Sequence, residues 1–238
     1  TWEAGNSGHA AGDTYVAIEG MLGSAHADIM SGNELDNVIT GGGGNDWLFG
    51  REGQDALYGD AGNDVLSGAS GSTVNNYGGD LLDGGDGTDV AYYRDAPNTV
   101  FRVSEVGNKQ GMVDGQSYGI SIDIANGVNN FGEAVGDVLQ NIENIWGSRF
   151  DDIIRGDDNV GGQVYGFEGN DILDGRGGDD VFYGGTGADT LTGGAGAEDF
   201  FYLSYNDHYN PYGTLEAYEG GDTITDFEHG VDHITVSR

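Results

Sequence analysis

Single apolar residues recur about every nine residues along two stretches of the chain, 23–92 and 147–201. Each time, a glycine-rich turn precedes three residues of which the middle one is apolar. Three residues are too few for an independent strand, so the pattern predicts an all-β solenoid of short stacked strands with the middle side chain inward. The predicted inward residues are Met30, Ile39, Leu48, Leu57, Leu66, Leu82, Ala91, Ile154, Val164, Leu173, Phe182, Leu191 and Phe200.

The repeat has the consensus G-G-x-G-x-D-x-U-x, where U is the apolar residue, and its positions are numbered here as places one to nine. Glycines at places one, two and four permit positive φ and close backbone approach, so the turn can point several carbonyl oxygens inward. With the carboxylate at place six they form an all-oxygen cage of the kind that Ca²⁺ requires. Aspartate is also common in ordinary solvated turns, but its recurrence at one phase of a fixed period favours the metal site.

The chain is strongly acidic. Its 238 residues include 47 Gly, 2 Pro and no Cys, and 41 acidic against 8 basic residues give a net charge of −33. Such a charge repels phosphate and anionic lipid, which excludes nucleic acid and membrane insertion as expected modes of binding. Stacked place-six acids repel by ~1 kcal/mol per pair even in water. We therefore predict that the metal-free chain is unfolded and that calcium binding and folding are one equilibrium.

A longer repeat overlies the short one. Residues 8–32 align with 132–156 at a constant offset of 124, which places Gly23 on Gly147 and Asp28 on Asp152. Self-similarity at this scale predicts that a whole structural module occurs more than once. We expect the sequence to start inside one copy and to be a piece of a longer protein.

The consensus G-G-x-G-x-D-x-U-x resembles the RTX family of haemolysin-type calcium-binding repeats. The resemblance implies a right-handed parallel β-roll in which two nonapeptides make one coil and Ca²⁺ lies between turns two repeats apart. One turn would supply the carbonyls of places two and four, the next those of places one and three, and both their place-six carboxylates. The seven repeats of the first array and the six of the second allow at most nine such pairings. We expect roughly five to eight of them to hold calcium.

The resemblance assigns ligands in both arrays, with the side chain at place six and carbonyls at the earlier places. The expected ligands are Asp28, Gly41, Gly42, Gly43, Gly44, Asp46, Gly50, Glu52, Gly53, Asp55, Gly59, Asp60, Ala61, Gly62, Asp64, Asp80, Gly84, Asp86, Asp89, Asp152, Gly166, Phe167, Glu168, Gly169, Asp171, Arg176, Gly178, Asp180, Gly184, Thr186, Asp189, Gly193, Ala195 and Glu198. Three repeats depart from the pattern at place six, which carries Asn37, Gly162 or Glu198. We expect weaker sites there and at the stretched repeat 68–83.

The predicted organisation has five parts. They are the end of a preceding module or an N-terminal cap (1–22), a first roll (23–92), a small antiparallel β insert with a capping segment (93–146), a second roll (147–201) and a C-terminal cap (202–238). In the third part, 99–103 and 118–125 alternate like strands. The spacing of 135–146 is partly helical, and a capping strand-turn is the alternative that we prefer.

The tail GGDTITDFEHGVDHITVS (220–237) resembles the cap that follows RTX arrays in serralysins and mannuronan C5-epimerases. The resemblance makes Asp222, Asp226 and Asp232 candidates for cap calcium or turn hydrogen bonds. Ile224, Phe227 and Ile234 would seal the end of the core.

No catalytic constellation is evident in the sequence. His229 and His233 have the spacing of a zinc-binding pair, but HGVDH lacks the glutamate of H-E-x-x-H. No G-x-S-x-G occurs. The glycine loops lack the lysine of a phosphate cradle. We therefore predict that this chain is not itself an enzyme.

The leading functional hypothesis is a calcium-binding structural module of a secreted bacterial protein that folds outside the cell, with type I secretion implied by the resemblance. Extracellular modules bind Ca²⁺ at ~10⁻⁴–10⁻³ M. The alternative is an accessory or glycan-binding part of a secreted polysaccharide-active enzyme, protease or adhesin. Outward aromatic residues such as Trp47, Phe49 and Tyr58 could then stack on a polysaccharide or dock other modules of the same chain.

Overall fold

The computed structural model describes residues 19–68, 79–95, 99–100, 117–125, 134–202 and 221–236. These residues form β-strands and no α-helix, and none of them lies in a helix that could cross a membrane. The strands are β1 Gly20–Leu22, β2 Ile29–Ser31, β3 Val38–Gly43, β4 Trp47–Phe49, β5 Ala56–Ala61, β6 Val65–Ser67, β7 Leu81–Asp86, β8 Val90–Tyr92, β9 Thr99–Val100, β10 Ser117–Tyr118, β11 Ser121–Asp123, β12 Val138–Gln140, β13 Asn144–Trp146, β14 Ile153–Arg155, β15 Gln163–Glu168, β16 Ile172–Asp174, β17 Val181–Thr186, β18 Thr190–Thr192, β19 Asp199–Tyr202, β20 Thr223–Ile224 and β21 His233–Val236.

The chain divides into two compact units, the first comprising Thr1–Tyr93 and Val135–Ile142. Its repeats alternate between two parallel sheets, ordered β1-β3-β5-β7-β12 and β2-β4-β6-β8. Within a sheet each strand pairs with the strand two repeats away, so that Ile39 pairs with Leu57 and Leu57 with Leu82. This arrangement is a parallel β-roll, as the family resemblance implies.

The second unit comprises Arg94–Ala134 and Glu143–Arg238. Its two parallel sheets are ordered β11-β14-β16-β18-β20 and β13-β15-β17-β19-β21. The short strands β9 and β10 pair with each other in antiparallel fashion. The two parallel sheets show that the second array also forms a parallel β-roll, and the predicted fold class is confirmed.

The place-eight side chains form the cores of both units. Twelve of the thirteen predicted inward residues are buried, and Met30 is half-buried. In the second unit the rings of Phe182 and Phe200 stack with centroids 5.1 Å apart. Because these residues lie at one phase of the repeat, each added coil extends the same apolar column.

The segments outside the arrays also supply strands to the sheets. β12 pairs with β7 through Leu139 and Leu82, and β13 pairs with β15 through Ile145 and Val164. Residues 135–146 are thus strands and turns rather than a helix. β11 pairs in parallel with β14, β20 with β18, and β21 with β19. Most of the predicted N-terminal segment 1–22 and much of the tail after Tyr202 lie outside the described residues.

Candidate metal centres

The place-six carboxylates of the first unit form two hydrogen-bonded columns. In one column Asp46 Oδ1 accepts the N–H of Asp28, and Asp64 Oδ1 accepts that of Asp46, both at 2.7 Å. Asp89 Oδ1 accepts the N–H of Asp64 at the same distance. Along the other column Asp55 Oδ1, Asp80 Oδ1 and Asp137 Oδ1 accept the N–H groups of Asn37, Asp55 and Asp80 at 2.7–2.9 Å. Each acid therefore uses one oxygen to link its turn to the preceding turn of its column.

The second unit repeats this arrangement. Asp171 Oδ1 accepts the N–H of Asp152 at 2.8 Å, and Asp189 Oδ1 that of Asp171 at 2.9 Å. In the other column Asp180 Oδ1 accepts the N–H of Gly162 at 2.8 Å. Since Gly162 itself carries no carboxylate, the ten-residue repeat leaves one gap in this column.

The second oxygen of most of these carboxylates is buried and has no hydrogen-bond partner in the part of the chain that the structure describes. This holds for Oδ2 of Asp46, Asp55, Asp64, Asp171, Asp180 and Asp189, and for Oε1 of Glu198. A buried acceptor without a partner destabilises a fold by about 1–3 kcal/mol, and more when it is charged. A column of such oxygens is therefore a candidate binding site for cations.

The glycine at place one leaves space beside the six aspartate oxygens among these. A Cβ on Gly41 would meet Asp46 Oδ2 and, at 2.9 Å, the carbonyl oxygen of Gly59 in the next turn of the column. A Cβ on Gly175 would likewise meet Asp180 Oδ2 and, at 2.8 Å, the carbonyl oxygen of Gly193. A carboxylate oxygen and a carbonyl oxygen therefore converge on one small space between successive turns.

Carbonyls at places two and four point into the same gap from the preceding turn. The oxygens of Phe167 and Gly169 lie where a Cβ on Gly185 or Gly187 would be. At place three, the Thr186 oxygen accepts the N–H of Gly169 at 2.9 Å. The gap between these two turns is thus bordered by the backbone oxygens that the resemblance assigns.

In four repeats, place two adopts a left-handed backbone although it is not glycine. Arg51, Asp60, Phe167 and Arg176 have φ of 86°, 69°, 73° and 67°. This conformation costs a non-glycine residue about 1–3 kcal/mol, so it persists only where the surrounding structure requires it. The side chain of Arg176 pairs with Asp123 at 2.6 Å and Asp158 at 3.2 Å. The carbonyl oxygen of Arg176 faces the next turn near Gly194.

Burial changes the protonation of the columns. It raises the pKa of Asp55 and Asp180 to about 7 and that of Asp189 to about 6, because the apolar surroundings disfavour the charged form. The pKa of Asp171 is raised well above its ordinary value by burial and then by the neighbouring charge of Asp152. Burial, and then the hydrogen bond and charge of Asp232, raises that of Glu198 to about 7. These are the environments in which a bound cation would restore the charged carboxylates.

Several predicted ligands have other partners. Both oxygens of Asp152 accept hydrogen bonds, Oδ1 from the N–H of Ile120 and the hydroxyl of Ser148, and Oδ2 from the Ser148 N–H. Asn37 Oδ1 accepts the N–H of Asn33 at 2.8 Å. The Glu168 carboxylate contacts Arg94 at 3.5 Å through Oε1.

Three acids outside the nonapeptides continue the columns. Asp137 accepts the N–H of Asp80, Asp222 that of Asp189 at 3.0 Å, and Asp232 that of Glu198 at 3.3 Å. We expected Asp222 and Asp232 only as cap residues and did not include Asp137 as a ligand. Each is followed two residues later by an apolar residue that pairs with a place-eight residue, namely Leu139, Ile224 and Ile234. A D-x-U pattern without the glycine turn is therefore the signal that identifies them.

Side-chain clusters alone would not reveal these centres. Within the described part of the chain, no group of three or more His, Cys, Asp or Glu side chains could hold a metal ion. An ion between two turns would have to take most of its ligands from backbone carbonyls, which suits Ca²⁺ with its six to eight oxygen ligands.

Comparison with known proteins agrees with this geometry. The family model of the RTX calcium-binding nonapeptide repeat matches the chain in four copies, at residues 22–57, 31–66, 40–73 and 165–197. The search of curated proteins returned no match. The matched segments fall in both arrays, where the carboxylate columns and the glycine turns lie. Residues 22–73 and 165–197, within the two arrays, are therefore RTX calcium-binding nonapeptide repeats, and both arrays fold as a parallel β-roll.

Proposed function

We propose that this chain is a structural module that folds outside the cell around several calcium ions bound between successive turns of its columns. The observation that carries the proposal is the series of buried carboxylate oxygens without a hydrogen-bond partner among the described residues, five of which lie beside both a place-one glycine and a carbonyl of the next turn. Dry turns without an ion would leave these oxygens without compensation, whereas a divalent cation satisfies several of them at once.

The turns at Gly166 and Gly184 illustrate the proposed ligand set. Phe167 and Gly169 contribute carbonyl oxygens from one turn, Gly184 and Thr186 from the next, and Asp171 and Asp189 their carboxylates. Equivalent sets lie between the turns that begin at Gly41 and Gly59, Gly59 and Gly84, and Gly175 and Gly193. Each internal carboxylate then serves the ion on either side, so neighbouring sites share ligands.

The charge of the chain supports a role in secretion. With a net charge of −33, the calcium-free chain repels itself and stays extended, which suits passage through a narrow channel. Outside the cell, Ca²⁺ neutralises the columns and the roll condenses. Because the chain contains no cysteine, folding requires no oxidative step.

A direct count of bound ions tests this function. Equilibrium dialysis of the purified chain at pH 7 should find roughly five to eight Ca²⁺ per chain, with affinity in the extracellular range. Mg²⁺ at the same concentration should not replace them, because it is smaller and demands octahedral geometry that shared carbonyl cages do not provide. Binding of no more than one Ca²⁺, or equal binding of Mg²⁺, would contradict the proposal.

Filling the space beside one carboxylate oxygen provides a local test. Gly41→Ala places a methyl group against Asp46 Oδ2 and the Gly59 carbonyl, whereas Gly43→Ala in the same turn meets only Ala25 Cα at 3.6 Å and the Ala61 carbonyl at 3.8 Å. Neither glycine has positive φ. Overpacking costs about 1–3 kcal/mol, which corresponds to about a ten- to hundredfold loss of affinity. Calcium titration followed by circular dichroism should show this shift for Gly41→Ala, and a shift of equal size for Gly43→Ala would contradict the site.

The stacked outward aromatic residues of the second unit favour the structural role over glycan binding. Tyr165 stacks on Tyr183 with centroids 4.1 Å apart, and Tyr183 on Phe201 at 5.1 Å. Rings stacked on one another cover the flat faces that a sugar would need, so these three support a role in stabilising the sheet surface. Trp47 is tilted against Phe49 and Tyr92, with centroids 6.1 Å and 6.3 Å away, and is 39% exposed.

A further inference from the structure

The first repeats of the two units are built alike. Residues 23–31 align with 147–155 at the offset of 124. In the first, the N–H of Ser24 donates to Asp28 Oδ2 at 2.7 Å, and in the second the N–H of Ser148 donates to Asp152 Oδ2 at 2.6 Å. The strands that follow, β2 and β14, are therefore equivalent, and the environment of one predicts what the other can accept.

In the second unit, β14 is covered by β11. Ser121 pairs with Ile153 in parallel register, and the N–H of Ile153 donates to the carbonyl of Ile120 at 3.0 Å. The N–H of Ile120 in turn donates to Asp152 Oδ1 at 2.8 Å. With this strand in place Ile153 is only 1% exposed. β11 thus covers the edge of the sheet, and the residue before it donates a hydrogen bond to Asp152, the first carboxylate of its column.

In the first unit, the equivalent edge has no covering strand among the described residues. β2 pairs with β4 on one side, where the N–H of Trp47 donates to the Asp28 carbonyl at 2.9 Å. Alternation along the strand then turns the N–H of Ile29 away from β4. Ile29 is 69% exposed, and within the described chain Asp28 Oδ1 accepts no hydrogen bond. An edge with unpaired backbone groups and exposed apolar side chains is a template for a further strand.

We propose that β2 is an acceptor edge for a strand of the same kind as residues 119–123, supplied by a further copy of this β-roll module. The strand would add in parallel, bond to the Ile29 N–H, place an apolar side chain over Met30 and donate an N–H to Asp28 Oδ1.

The incoming strand must carry glycine at the position of Gly119. In the second unit a Cβ on Gly119 would meet both Ser148 Oγ and Asp152 Oδ1, and Ser24 and Asp28 occupy the equivalent positions in the first. The sequence G-I-S-I-D of residues 119–123 meets this demand and alternates apolar residues as the edge requires. The recognised chemistry is therefore an extended segment of this pattern, which identifies a second copy of the module as the occupant. The inference goes beyond calcium binding and needs only a folded first unit.

Amide hydrogen exchange tests the edge. In saturating calcium, the Ile29 amide of the unmodified chain should exchange much faster than that of Ile153. A chain extended by a copy of residues 115–124 joined directly before Thr1 places the copied strand as far from β2 as β11 is from β14. In the extended chain, exchange at Ile29 should slow by about tenfold or more, because its N–H becomes part of a sheet.

The matched control carries the same extension with the copied Ile120 and Ile122 replaced by aspartate, and it should leave Ile29 exchange unchanged. Equal exchange at Ile29 and Ile153 in the unmodified chain would overturn the proposal. So would an extension that fails to protect Ile29, or a control that protects it equally. These readouts are separate from the ion count, since the two amides can be compared in any folded chain, however many ions it binds.

Discussion

In excess chelator at pH 7, the chain is expected to lose most of its β-type circular dichroism signal and to recover it when millimolar Ca²⁺ is added. The seven buried oxygens of the columns have no hydrogen-bond partner among the described residues, and the ion pairs of those residues do not reach them. At about 1–3 kcal/mol each, their uncompensated burial is comparable with the ~5–15 kcal/mol stability of a whole domain. Calcium removal should therefore unfold the rolls rather than loosen them.

The raised pKa values predict the direction of a pH effect in the same chelator experiment. Burial raises the pKa of Asp55 and Asp180 from 3.8 to about 7, so their neutral forms are compatible with the fold. For a group whose pKa is raised on folding, this stability is present below the unfolded value and is lost as the pH rises through the folded value. The calcium-free chain should accordingly show more β signal at pH 5 than at pH 7.

Calcium should have its largest effect near pH 7 and a smaller one at pH 5, where protons compete for the same oxygens. Mg²⁺ in place of Ca²⁺ is the control for general screening of charge. Two results would contradict the coupling of calcium to folding. One is a β spectrum at pH 7 that chelator does not change. The other is a β signal in chelator that is weaker at pH 5 than at pH 7.

The cores of the rolls could be predicted because one local rule decides them. A residue at place eight points inward whatever its neighbours are, as shown by residues as different in size as Ala91 and Phe182, which are both buried. Met30 is the partial exception, and it lies in the edge strand β2. Its partial exposure follows from what stacks on the strand, which the local pattern does not contain.

The strands outside the arrays are positioned by partners distant in sequence and not by the repeat. The segment 135–146 has apolar spacing compatible with either a helix or a strand-turn, and its structure is set by β7 and β15, to which β12 and β13 are hydrogen-bonded. Asp137 likewise joins a column through Asp80, which lies 57 positions earlier, and through the hydroxyl of Tyr93 at 2.7 Å. Such partners are distant in sequence, and no periodicity brings them together.

Replacing Asp64 by asparagine is expected to weaken calcium binding at two positions, because the proposed ligand sets place this residue between the turns that begin at Gly41 and at Gly84. The amide oxygen can still accept the Asp46 N–H that Oδ1 accepts at 2.7 Å, so the link between turns is kept. Oδ2, however, would become an NH₂ group in a buried position, and an NH₂ group cannot coordinate a cation. We expect the calcium midpoint, followed by circular dichroism, to rise at least about tenfold.

Asp60→Asn is the matched control, since it makes the same change of charge in the same turn. The Asp60 side chain is exposed, and its left-handed backbone with φ of 69° is one that asparagine adopts readily. Only its carbonyl borders the gap between turns, and the substitution leaves that carbonyl in place. The midpoint of Asp60→Asn should therefore stay close to that of the unmodified chain. Equal shifts for the two variants would mean that calcium responds to net charge alone and not to an ion held at Asp64.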